Sequence, residues 1–184
     1  MNHVKIKRLP IIIILTALAT LSVLAEPPDP QTATSPDGKW IVFVKPGHGP
    51  KIETAADGSP LDPTELWQKD AQGKNQTLLV KCRDSDEMAL VIGGFWNLQF
   101  STDGKLVYFT TPAWTTSPAI HVVDTTTCKE HFVIDGWLDR VASTDDGDRL
   151  IVSRRDIDDI GVFHDIFMVT PEGKLVGRLW LKER

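Results

Sequence analysis

Three times in this chain a short polar stretch built around Asp and Gly stands directly before a run of β-branched and apolar residues. The stretches are Ser35-Pro36-Asp37-Gly38-Lys39, Ser101-Thr102-Asp103-Gly104-Lys105 and Ser143-Thr144-Asp145-Asp146-Gly147-Asp148-Arg149. Ser and Asp side-chain oxygens can bond backbone amides two residues on, and Gly takes a positive φ without steric cost, so each copy should reverse the chain tightly. Asp37, Gly38, Asp103, Gly104, Asp146 and Gly147 are therefore expected to be structural turn residues. Three reversals feeding three strands restrict the chain to like antiparallel units.

The units can be followed along the chain. In the first, Trp40-Ile41-Val42-Phe43-Val44 is short, branched and aromatic, the pattern of a strand buried on both faces. Residues 45–63 hold four Pro and three Gly and make a long loop. Asp62-Pro63-Thr64-Glu65 is a good helix start, but Gly73 would stop that helix early, and alignment to the later units makes 65–69 and 76–82 strands instead. In the second unit 95–100, 106–110, 119–123 and 130–134 are strands, with 112–118 as a loop. In the third, 138–142, 150–153, 164–169 and 175–181 are strands, with 154–161 as a loop. Four short antiparallel strands every 40 to 50 residues make the blade of a β-propeller.

Ser-Pro-Asp-Gly-Lys followed by Trp-Ile-Val-Phe-Val and then Glu-Leu-Trp-Gln-Lys-Asp resembles the TolB-type β-propeller repeat, a WD40-like repeat also found in propeller domains of prolyl-oligopeptidase relatives. Phe100-Ser101-Thr102-Asp103-Gly104-Lys105 with Ile120-His121-Val122-Val123-Asp124, and the third Asp-Gly turn with Asp165-Ile166-Phe167-Met168-Val169, match it too. The resemblance spans most of residues 33–181. It implies an all-β fold, an incomplete or open propeller of about three four-stranded antiparallel blades at 34–94, 95–137 and 138–182 within a domain at 34–184. It does not imply one function, because propellers host binding, scaffolding and hydrolase-gating roles. Closed propellers have at least about four blades. Either a degenerate fourth blade is hidden in 26–34 and 83–94, or the array is open and invites a partner or a second copy.

Residues 1–25 look like a signal peptide: Lys5, Lys7 and Arg8 precede an apolar stretch at 11–24, and Val23-Leu24-Ala25 has the small-residue spacing of a cleavage site. The stretch is short of the roughly 20 residues that span a bilayer. Glu26 rather than Cys follows, which argues against acylation. Three prolines make 26–33 an extended arm. A periplasmic or secreted protein without membrane insertion after cleavage is expected. Removing the leader leaves 17 basic and 25 acidic residues, a net charge near −8. That balance disfavours nucleic acid and anionic membranes, which bind through clustered Lys and Arg. Cys82 and Cys128, the two cysteines, suggest a disulfide in an exported chain. Closing that loop would stabilise by about 4 kcal/mol. Two buried thiols are the other possibility, and equivalent blades would set the two cysteines at opposite ends.

Within such blades the Asp-Gly turns share one face, and every long irregular segment converges on the other. Loops on a rigid scaffold commonly carry binding residues, so that second face is the candidate site. Its candidates are Trp114, as an aromatic anchor or folded over the blade, the charged group of Arg154, Arg155, Asp156, Asp158 and Asp159, and His48 between Gly47 and Gly49. The calcium-loop register is missing from the charged group, so a solvated loop is the simpler reading and no metal is expected. His48 is not part of a GxxxxGK[ST] loop. His121, His131 and His164 fall in separate strands. There is no Gly-x-Ser-x-Gly or His-Glu-x-x-His, so no catalytic residues and no cofactor are expected. The leading expectation is a non-catalytic exported module that binds a protein or assembles in the cell envelope, with self-association included. An inhibitor or immunity-type protein for an exported enzyme is the alternative, and a hydrolase-related propeller with an accessory role the third.

Overall fold

The computed structural model describes residues 31–52, 60–157 and 161–183; the leader and Asp158 lie outside the described residues. Its strands form three sheets of four. The first is β1 (Thr32–Thr34), β2 (Trp40–Pro46), β3 (Thr64–Asp70) and β4 (Thr77–Lys81). The second is β5 (Trp96–Phe100), β6 (Leu106–Trp114), β7 (Ser117–Asp124) and β8 (Glu130–Asp135). The third is β9 (Trp137–Thr144), β10 (Gly147–Ile157), β11 (Val162–Val169) and β12 (Leu175–Glu183). Each sheet is antiparallel and keeps chain order, which makes it a blade. No fourth sheet occurs among the described residues, so the array is open. The link at 83–94 holds a 3-10 turn (Met88–Leu90) and one isolated bridge, Arg83 to Ile92. No helix among the described residues is long and apolar enough to cross a membrane.

The first two turns are built alike, atom for atom. Ser35 donates its amide to the Trp40 carbonyl (2.8 Å) and its hydroxyl to Asp37 Oδ1 (2.7 Å), which also accepts the Lys39 amide (3.1 Å). Ser101, Asp103, Lys105 and Leu106 repeat these bonds at 2.9, 2.8 and 3.0 Å. Gly38 and Gly104 supply the required positive φ, 71° and 74°. The third turn differs: Thr144 pairs with Gly147, leaving a two-residue hairpin loop of Asp145 and Asp146. The turns gather at one end of the array, where the Ala71 amide donates to the Lys39 carbonyl, the Thr125 amide to Lys105 and the Thr102 amide to Asp148.

Side chains alternate across each strand, and the middle blade uses both faces. Val107, Phe109, Leu98 and Val123 pack toward the first blade against Val42, Leu66 and Val80. Tyr108, Ile120, Val122 and Val133 pack toward the third against Leu138, Leu150, Val152 and Val169. Strand β2 departs from the sequence expectation. Val42 is fully buried, but Ile41 and Phe43 are half-buried, because no sheet among the described residues covers their side.

Two expected loops are strands. The segment 112–118 is a tight hairpin with Trp114 paired to Ser117. The ladder tolerates Pro112 because its register breaks between Thr111 and Trp114, where a proline removes no needed donor. The segment from Arg154 continues β10 to Ile157, its residues paired in turn with those of β11, including Arg154 with Asp165.

The expected disulfide is not formed: Cys82 and Cys128 are free thiols. Cys128 sits in the β7–β8 turn with φ 54°, whereas Cys82 follows β4 at the opposite end. A six-residue strand such as β8 spans roughly 20 Å. A disulfide needs Cα atoms within about 7 Å.

Candidate functional site

The end of the array opposite the turns carries the β2–β3 loop, the 82–95 link, the β6–β7 hairpin tip and the ends of β10 and β11. At the first blade this face forms a groove. Its walls are His48, Gly49, Pro50, Lys51 and Ile52 on one side and Lys81, Cys82, Arg83 and Asp84 on the other, enclosing roughly 240 Å³. Pockets for whole small molecules run at roughly 300–1,000 Å³, so this one fits a side chain or a short extended segment.

Each wall is held in place. Ile52 exchanges two backbone hydrogen bonds with Leu61 (2.9 and 2.8 Å) and is 2% exposed. Its side chain lies so close to Gly93 that a Cβ there would meet Ile52 Cδ1 at 2.5 Å. The Gly47 amide donates to Pro63 O at 2.8 Å, closing the neck of the loop. On the other wall Arg83 donates from Nε to the Leu90 carbonyl (3.1 Å) and from its terminal nitrogen to Glu130 Oε2 (3.2 Å). The guanidinium therefore clamps the link to β8 of the next blade. Lys51 pairs with Asp62 at 3.1 Å, but both side chains are well exposed, and such pairs contribute only about 0–1 kcal/mol. Lys81 is exposed at the end of β4.

Behind the groove lies a buried polar pair. His121 is fully buried, with Nδ1 2.7 Å from Glu130 Oε1. Burial pushes the Glu130 carboxyl up, but its hydrogen bond with His121 and the charges of His121 and Arg83 outweigh this and hold it below the usual range. The imidazole stacks on Phe109 (5.4 Å, 11°) and meets Phe132 edge-on (5.7 Å). A row of rings thus runs Trp114, Phe132, His121, Phe109, Phe95 through the middle blade. A histidine walled in this way has no open side to present to a substrate. Its role is to tie β7 to β8.

The residues singled out from sequence do not form one cluster. His48 is exposed on the rim of the groove. Trp114 is half-buried, ends β6 and contacts Phe132 at 6.5 Å, closing the ring row instead of standing free. Arg154 turns toward the middle blade, where it pairs with Asp135 and lies over Phe167 at 5.6 Å. Arg155, the next residue along the strand, is exposed on the other face of the sheet. Asp156 aligns with Phe163. Alternation along β10 splits the charged group that a loop would have held together. Lys51, Ile52, Lys81 and Arg83 escaped notice, because only folding brings the β2–β3 loop against the link.

No protein-family profile and no curated protein sequence matches this chain. Among solved structures, the chain is similar to the β-propeller domain of the Trilobed protease from Pyrococcus furiosus, whose topology is described as open velcro. That match has a TM-score of 0.48 and 13% identity over 77% of this chain and 39% of that one. It is also similar to acylaminoacyl peptidase from Pyrococcus horikoshii, with a TM-score of 0.46 and 13% identity over 77% of this chain and 23% of that one. TolB from Acinetobacter baumannii gives 0.38 and 13%, over 80% of this chain and 42% of that one. The chain spans between about a quarter and two-fifths of the length of these three proteins.

Proposed function

We propose that this chain is a non-catalytic exported module that docks a protein through its link face, with the basic-walled groove receiving an acidic, extended segment of the partner. The observation that carries the reading is the groove itself. In a chain with net charge −5, it collects Lys51, Lys81 and Arg83, beside His48 and the single carboxylate Asp84, around an apolar floor at Ile52. Arg83 is held by Glu130, whereas the Lys51–Asp62 pair is exposed, so Lys51 and Lys81 are the charges most easily turned to a partner. Export rests on the leader pattern at the start of the sequence. The non-catalytic part rests on the enclosure of the His121–Glu130 pair.

The test is direct binding of a panel of acidic, neutral and basic peptides to the mature chain by calorimetry. Acidic peptides bind, more weakly as salt is raised. The double variant Lys51→Glu, Lys81→Glu loses about tenfold in affinity or more. Equal binding across the panel, or no effect of the double variant, defeats the proposal. Turnover in a screen of esterase, peptidase and glycosidase substrates defeats its non-catalytic part.

A further inference from the structure

The two outermost sheet faces of the array carry apolar side chains among charged ones, and the interior of the molecule shows what such side chains pack against. Phe43 stands eight residues past the turn serine Ser35, as Phe109 stands eight past Ser101. By the same alignment Ile41 corresponds to Val107. Trp67, which pairs with Phe43, corresponds to His121, which pairs with Phe109. In the middle blade Val107, Phe109 and His121 are fully buried on the side facing the preceding blade. In the first blade Ile41, Phe43 and Trp67, with Leu78 opposite Trp67, occupy the same slots only partly buried. Lys45 and Lys69 lie over the rings of Trp67 and Phe43 at 3.3 and 4.7 Å, their stems shielding the face.

The far end of the array is the complement. Ile151, only 7% exposed, pairs with Met168, and the more open Ile166 with Leu179, all on the face of the third blade turned away from the middle one. Ile151 and Met168 hold the slots that Tyr108 and Val122 hold in the middle blade, where those residues are buried against the blade that follows. Leu179 is 40% exposed. One end thus presents the face that elsewhere in this molecule packs on a preceding blade, and the other end presents the face that packs on a following one.

We infer that the occupant of both faces is a second copy of this chain. The third blade of each copy packs on the first blade of the other, and the two copies close into a ring of six blades. The internal seams supply the template, since the proposed contact has the same two kinds of face in the same order. The count follows from closure. Propellers have typically four to eight blades, and two copies of three is the multiple that falls in that range. Each contact is heterologous, and the two-fold relation closes the pair without leaving a free end. The inference does not depend on what the link face binds.

Sedimentation of the mature chain over a wide concentration range tests it. The expected species has the mass of two chains. Phe43→Asp and Leu179→Asp each yield single chains, and mixing the two variants restores a pair, because one of the two contacts is then unaltered. Leu179 lies exposed on an edge strand, so its variant keeps the fold, checked by circular dichroism. Single chains throughout for the unaltered protein overturn the inference, as does a pair that survives Leu179→Asp or a series of species larger than two.

Discussion

The duplicated Ser-x-Asp-Gly-Lys turn shows how much one carboxylate fixes. Asp37 accepts the Ser35 hydroxyl and the Lys39 amide, with the Lys39 ammonium at 3.0 Å. The Ser35 bond, followed by the Lys39 bonds, draws its pKa from 3.8 down to about 2. Asp103 is lowered first by the Lys105 amide, with Ser101 and the Lys105 side chain adding to it. The folded state therefore holds these protons less tightly than the unfolded chain. The stabilisation is fully present above about pH 4 and is lost as pH falls toward about 2, the range in which the unfolded chain binds more protons. Urea midpoints measured from pH 5 to 2 should fall with acid, and Asp37→Asn should flatten part of that slope. These turns were legible in the sequence because a turn is a local event: the donors, acceptors and glycine lie within six residues. The third copy differed for an equally local reason. It carries an extra Asp, and the strands pair past the point where the others turn. The fate of Cys82 and Cys128 depended on which end of a blade each reached, which the alignment of the blades indicated and the count of cysteines did not.

At the scale of strands, the repeat located the four slots of each blade but not where they stop. Pro112 and Pro118 read as loop punctuation, yet a broken register lets β6 and β7 run past them to a two-residue tip. Arg154 and Arg155 read as a charged loop, yet cross-strand partners on β11 carry them into the sheet. The groove was legible only as a face, since the contact between the β2–β3 loop and the link is non-local. The difference between equivalent strands gives a measurable contrast. Phe109→Ala should cost about 3–5 kcal/mol, the range for emptying a buried aromatic site. Phe43→Ala, at the same slot of the first blade, should cost less, roughly 1–2 kcal/mol, because that ring is only partly buried. Urea unfolding at high dilution, where single chains dominate, measures both. Equal costs would mean that the first blade is covered even in the single chain.

For the molecule as a whole, the open array was one of two readings that counting units allowed, because each blade needs four strands and three sets are legible in the sequence. Openness should also be visible in heat. If two copies complete the ring, the melting temperature rises with protein concentration, since association favours the folded state by mass action. Leu179→Asp should abolish that dependence, and differential scanning fluorimetry over a dilution series reads both. A melting temperature independent of concentration in the unaltered chain would go against closure by a second copy.

The two seams of the array are joined very differently. Fourteen residues, 82–95, pass from the first blade to the second, whereas Gly136 alone joins the second to the third. Gly136 has φ 132°, and a side chain there would meet Val152 Cγ1 at 2.7 Å and the Ser153 carbonyl at 2.8 Å. A passenger sequence spliced in beside the exposed Asp86 would ride along on the outside. One residue added at Gly136 would act as a wedge, prising apart the two blades that the chain leaves no slack to separate.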